Sequence, residues 1–163
     1  MPAQNASPHN TVLTLNRGPF HFSARAQRAL RDLWAASMAA KQERVACIGG
    51  TVVHGVTYIT RVRRLVAAHA DSMTISARES LQTCGPPTWL GTVHTHIATV
   101  NGQPYVLFSG SDMIVMEMWR RQWKTDGVFC ILYSESEANC EARADSAERV
   151  MYSATGGPAG GRP

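Results

Sequence analysis

The run W-L-G-T-V-H-T-H, Trp89 to His96, restricts this chain more than any other stretch. After a break at G-P-P it reads as a buried strand that ends in polar residues. Residues i and i+2 of a strand point to one face, so His94 and His96 can reach a single ion. Zinc is commonly held by two histidines and a carboxylate, with one position left open. A candidate for the carboxylate is Asp112, in S-G-S-D at the start of a helix opened by Ser109. A structural reading stands beside each feature. Ser109 as N-cap with Asp112 at N3 is a variant of the capping box, and paired histidines at a strand end also occur without a metal.

Around that run, helical and extended patterns are interleaved. Ser23 can cap a helix reaching about Ala40, with Ala26, Leu30, Leu33, Trp34 and Met38 on one buried stripe. R-V-A-C-I, stopped by Gly49 and Gly50, and then T-V-V-H-G-V-T-Y-I predict two adjacent strands joined by a glycine turn. A third strand is expected near Val62 to Ala68, and a short helical piece over Ser76 to Cys84. Asn101-Gly102, between I-A-T-V and Q-P-Y-V-L-F, is a strong hairpin signal. Ser109 opens a second helix to about Lys124, with Ile114, Met118 and either Met113 or Trp119 on its apolar side. G-V-F-C-I-L-Y is a final core strand. Trp119 and Trp123, i and i+4 on that helix, read as packing residues, and His54 and His69 as surface or satisfied histidines. No strict βαβ order and no internal repeat is visible. The class is α/β or α+β, a mixed sheet flanked by helices.

With 163 residues, one domain is expected over 11–153, with frayed ends at 1–10 and 154–163, where Gly, Pro and small polar residues gather. A hydrophobic content of 44% with 17% charged residues excludes a disordered chain or a coiled coil. The net charge of +4 implies only a mild attraction to acidic partners. R-V-R-R, from Arg61, reads as a solvated strand face, and no nucleic-acid partner is expected. No apolar run is long enough for a membrane helix, and Met1 to Asn10 lacks the pattern of a secretory signal. A cytoplasmic location is expected. Cys47, Cys84, Cys130 and Cys140 form no C-x-x-C, and Cys47 and Cys130 read as buried thiols inside apolar runs.

Glu43 adds a fifth residue to the histidine run. It heads E-R-V-A-C-I-G-G, and this E-x-x-A-x-x-x-G, followed by G-T-V-H-T-H and then S-G-S-D, resembles the JAMM motif of the JAB/MPN (Mov34) metalloprotease family. The resemblance spans residues 22 to 135. It implies the JAB/MPN, cytidine deaminase-like fold, with Glu43 as general base, His94, His96 and Asp112 as ligands of one zinc ion, and Ser109 as a stabiliser of the oxyanion. Two departures stand out. Ile97 to Phe108 make twelve residues between the second histidine and the serine, more than the family usually has, and Ile97 stands where a proline is common. A small hairpin inserted beside the site accounts for the extra length. Thr95 replaces a frequent serine and is expected to face outward with little effect.

The chemistry of the five residues is coherent apart from the resemblance. A zinc with three protein ligands makes water a nucleophile near neutral pH. A carboxylate that is not a ligand then takes and returns the proton, and a hydroxyl at a helix start can meet the charge that builds on the attacked carbonyl. The resemblance implies a peptide or isopeptide hydrolase acting after the C-terminal glycine of a ubiquitin-like protein or its conjugate, with E1-like and E2-like partners in antiviral defence operons. The rival from the same family is a non-catalytic MPN scaffold that binds protein partners, and such scaffolds typically lose ligands that are present here. A zinc deaminase would need H-x-E and P-C-x-x-C, and neither occurs.

Overall fold

The stretch Val128–Leu132 is buried at every position, the pattern of a strand covered on both faces. It lies inside a seven-stranded mixed sheet. The computed structural model describes residues 19–65, 79–143 and 146–153. In chain order the elements are β1 (Phe20–Phe22), α1 (Ala24–Ala40), β2 (Val45–Val53), β3 (Val56–Arg64), β4 (Gly91–Thr95), β5 (Thr99–Val100), β6 (Gln103–Pro104), α2 (Gly110–Trp123), β7 (Val128–Leu132), β8 (Glu137–Arg143) and β9 (Ser146–Met151). The sheet order is β1-β3-β2-β4-β7-β8-β9, and β5 and β6 form a separate two-stranded sheet. β1 pairs with β3 and β4 with β7 in parallel; the remaining pairs are antiparallel. The expected mixed sheet with flanking helices is present.

Helix α1 starts where Ser23 accepts a hydrogen bond from the Ala26 amide at 3.1 Å. It ends at Lys41 in the left-handed conformation. Its Ala26, Leu30 and Leu33 pack with Ile48, Ile59, Val93, Leu132 and Val150 on one face of the sheet. The stripe differs from expectation at its end: Ser37 is buried and Met38 is exposed. On the opposite face, Met116 and Trp119 of α2 pack with Phe129 and Leu81. Trp123 packs against this cluster and donates its indole N–H to the Leu81 carbonyl at 3.0 Å.

Gly49 and Gly50 are not a turn. β2 runs straight through them, and its register with β3 shifts at that point as a bulge. A Cβ on Gly50 would lie 1.7 Å from the Tyr58 carbonyl oxygen, so the glycine permits a close backbone approach. The chain reverses instead at His54 and Gly55, both with positive φ, as a two-residue hairpin requires. His54 is exposed there. The third strand foreseen at Val62 to Ala68 is the second half of β3, which ends at Arg64; residues 66–68 lie outside the described residues. So do 76–78 of the short helical piece, whose residues 79–83 are helical, and the two termini and His69.

The cysteines correct another expectation. Cys47 and Cys130 are not free thiols: the structure joins Cys47 to Cys84 and Cys130 to Cys140. Cys130 and Cys140 are register partners on β7 and β8. Such neighbours are created by strand pairing and leave no trace in sequence spacing. Among the described residues, no helix is long and apolar enough to cross a membrane.

Candidate metal centre

β4 alternates its side chains between two covered faces. Val93 points into the cluster under α1, which sends His94 to the side of α2. His96 follows just past the strand end, its amide bonded to the Leu132 carbonyl at 2.8 Å. Asp112 meets both rings from the first turn of α2. The Nε2 atoms of His94 and His96 are 3.0 Å apart. Asp112 Oδ1 lies 3.1 Å from His94 Nε2, and Oδ2 lies 3.2 Å from His96 Nε2. Adjacent ligand atoms of a tetrahedral zinc with bonds of about 2.0 Å are separated by about 3.3 Å. The spacing therefore suits a four-coordinate ion, and these three residues are the group able to hold a metal ion among the described residues.

Hydrogen bonding sets the protonation of the rings. His96 Nδ1 lies 3.1 Å from the Tyr105 carbonyl oxygen, which can only accept, so Nδ1 carries the proton. In the neutral ring, Nε2 then presents a lone pair to a second imidazole nitrogen and to a carboxylate. A proton on one of the rings, or a metal ion, would relieve that crowding of lone pairs. Burial alone would raise the carboxyl of Asp112, but its hydrogen bonds to His94 and His96 outweigh that and hold it well below the usual range. Burial lowers the proton affinity of His96, and the hydrogen bond to Asp112 reverses the balance upward. The field that attracts a proton is the field a metal ion would occupy.

Asp112 also satisfies the structural reading. Its Oδ2 accepts the Ser109 amide at 2.7 Å, while the Asp112 amide donates to Ser109 Oγ at 3.1 Å. This is the full capping box. The carboxylate serves the helix start and the histidines together, so the two readings are not alternatives. Glu43, half-buried just ahead of β2, stands close enough to feel all three residues. Burial raises its carboxyl, His94 and His96 pull it partly back, and Asp112 pushes it up again. It is not one of the three clustered ligands.

The insert is the expected hairpin, turning at Asn101 and Gly102 with φ of 52° and 75°. It does more than extend the surface. Tyr105, just beyond β6, supplies the carbonyl that orients His96 and stacks its ring on the imidazole at 5.4 Å. Asn139 of β8 donates to the next carbonyl, Val106, at 2.9 Å and anchors this leg of the insert. Neither partner had a signal in the sequence, because main-chain carbonyls carry no residue identity. Thr95 is a further correction. It does not face outward but is fully buried, since α1 covers the face of β4 opposite the histidines.

Val45, Phe108, Val115, Met116 and Phe129 wall a small cavity of about 40 Å³ beside His94 and Asp112. A larger cavity of about 650 Å³ lies at the other end of β4, around Trp89, Leu90 and Gly127, and touches none of the five residues.

No protein-family model and no curated protein matches the chain. A solved structure does resemble it: the solution structure of protein DSY2949 from Desulfitobacterium hafniense, with a TM-score of 0.50 over 82% of this chain and 92% of that one. At 16% identity the likeness concerns the fold alone.

Proposed function

We propose that the chain is a zinc-dependent hydrolase of the JAMM type, cutting the peptide or isopeptide bond after the C-terminal glycine of a ubiquitin-like protein or its conjugate. The observation that carries this reading is the convergence of His94, His96 and Asp112 on one point, with Glu43 beside them but outside the ligand set. Two imidazoles and one carboxylate form a donor set that suits zinc and leaves a position open. The JAB/MPN fold and E1-like and E2-like partners belong to the same proposal.

When bound, zinc would supply Lewis acidity, bringing water toward ionisation near neutral pH and polarising a carbonyl. The protein's own groups do the rest. Glu43 takes the proton of the attacking water and returns it to the departing amine. A carboxyl raised by burial is better matched to both transfers than an exposed one. Ser109 accepts the Asp112 amide on its oxygen, which leaves its O–H to donate to the carbonyl oxygen as that oxygen gains charge. It does so at the N-terminus of α2, where the helix dipole also favours an anion. Tyr105 and Asn139 hold His96 and the insert in place before substrate arrives.

A non-catalytic scaffold has no need of a proton acceptor next to three ligands, and no observation favours it here. The test is direct. Purified protein should carry close to one zinc per chain by elemental analysis, in line with a single three-residue site. It should release a reporter fused to the C-terminal glycine of a ubiquitin-like protein, and a chelator should abolish release. Metal-free protein that still cleaves would overturn the proposal.

A further inference from the structure

The residue between the two histidines holds the residue next to Glu43. Thr95 is fully buried, and both main-chain groups of Arg44 bond to it. The Thr95 amide donates to the Arg44 carbonyl at 3.0 Å. The Arg44 amide donates to the Thr95 hydroxyl, Oγ1, at 2.8 Å. The last register pair of β2 and β4 is Val45 with His94. One step beyond it, the hydroxyl accepts the amide at the place where a ladder would use a carbonyl.

A second hydroxyl completes the clamp. Ser37, buried in the last turn of α1, lies 2.6 Å from Thr95 Oγ1. The Ser37 carbonyl also accepts the Gln42 amide at 3.1 Å. Glu43 is therefore bracketed: Gln42 on one side is tied to α1, and Arg44 on the other is tied to the strand that carries the histidines. Both ties pass through the Ser37–Thr95 pair.

We propose that Thr95 is a positioning residue that fixes the Glu43 carboxylate relative to His94 and His96 by holding the Arg44 amide. This rests on the reading of Glu43 as the proton-transfer group. Its basis is geometric. The hydroxyl can serve Arg44 only because α1 covers that face of β4 and keeps water away. Without it, the part-buried Arg44 amide loses its acceptor, and Arg44 is held to Thr95 through its carbonyl alone. A displacement of about 1 Å in a catalytic group can cost on the order of a hundredfold in rate.

The experiment compares Thr95→Val, which keeps the shape and removes the hydroxyl, with Thr95→Ser, which keeps the hydroxyl. Thr95→Val should retain its zinc and a KM within about twofold, while kcat falls by about tenfold to a hundredfold. In metal-free protein, the Arg44 amide should exchange with deuterium at least about tenfold faster than in the wild type, with amides in the middle of β7 unchanged. Thr95→Ser should restore most of both. Wild-type exchange at Arg44 would overturn the clamp, and faster exchange with unchanged kcat would overturn the positioning role while leaving the hydrolase intact. A wild type that cleaves nothing is a different failure, that of the hydrolase reading, and is seen before any variant is made. Should Thr95→Val not fold, Ser37→Ala frees the Thr95 hydroxyl to turn from Arg44 and should move kcat and Arg44 exchange in the same directions; no change in either would overturn the proposal.

Discussion

The two helices that flank the sheet follow different rules. α1 turns its most apolar stripe inward, and Ala26, Leu30 and Leu33 meet the sheet as hydrophobic burial alone would arrange. α2 does not. Its inward stripe is Asp112, Met116, Trp119 and Trp123, at spacings of four, three and four, and begins with a carboxylate. Turning Asp112 toward the histidines leaves Ile114 and Met118 on the outside, 64% and 49% exposed. The α1 stripe meets only the sheet core through Ala26, Leu30 and Leu33, whereas the α2 stripe joins three large apolar residues to a carboxylate that meets the histidines. The contrast locates the site: a charged group at the head of an otherwise apolar buried stripe is not there for packing.

The largest effect should come from removing the carboxylate at the head of the α2 stripe. Asp112→Ala should lose the metal and all measurable cleavage, with zinc content falling from about one per chain to near zero. Elemental analysis and the reporter assay read both. Retained zinc would mean that Asp112 serves only the helix cap.

Next in size is the effect of truncating each helix. Leu30→Ala, in the α1 core, should cost about 2–5 kcal/mol in a denaturant titration. Ile114→Ala, on the outward side of α2, should stay within about 0.5 kcal/mol. Comparable losses would show that the outer side of α2 is packed and that the two helices obey one rule.

The smallest expected effect lies in the pH dependence of the metal-free protein. Burial raises the Glu43 carboxyl in the folded state, so folding disfavours its ionised form. Below its unfolded pKa the group is neutral in both states and contributes nothing. As pH rises through the window up to the raised folded value, stability is lost, and above that window the full cost applies. Glu43→Gln should therefore melt slightly higher than wild type at pH 8, with the gap closing toward pH 4. A variant less stable than wild type at pH 8 would give Glu43 a structural role.

Sequence and structure part company where a feature depends on what lies across from it. His94, His96, Asp112 and Ser109 were legible because strand and helix periodicity are local, and so were the Ser23 cap and the Asn101-Gly102 turn. The burial of Thr95 is not legible, because period two tells which residues share a face and not whether the other face is covered. Gly49-Gly50 looks like a turn until β3 is seen to run alongside it. The pairing of Cys130 with Cys140 is a matter of register, and the rotation of α2 one of tertiary contact. Apolar counting over Ile114, Met118 and either Met113 or Trp119 selects the wrong side for Ile114 and Met118, because both sides of the helix carry apolar residues and only the contacts with Leu81 and Phe129 show that Met116 and Trp119 face inward. Tyr105 and Asn139 act on or through main-chain carbonyls, which every residue possesses.

If Glu43 moves protons beside a metal it does not bind, Glu43→Gln should separate metal binding from catalysis. Assayed on a ubiquitin-like fusion and analysed for zinc in the same preparation, the variant should carry about one zinc per chain, as for a site whose three ligands are untouched, with cleavage reduced by on the order of a hundredfold or more. Full activity would mean that Glu43 is not the base, and loss of zinc would make Glu43 a ligand and leave the reaction without its base.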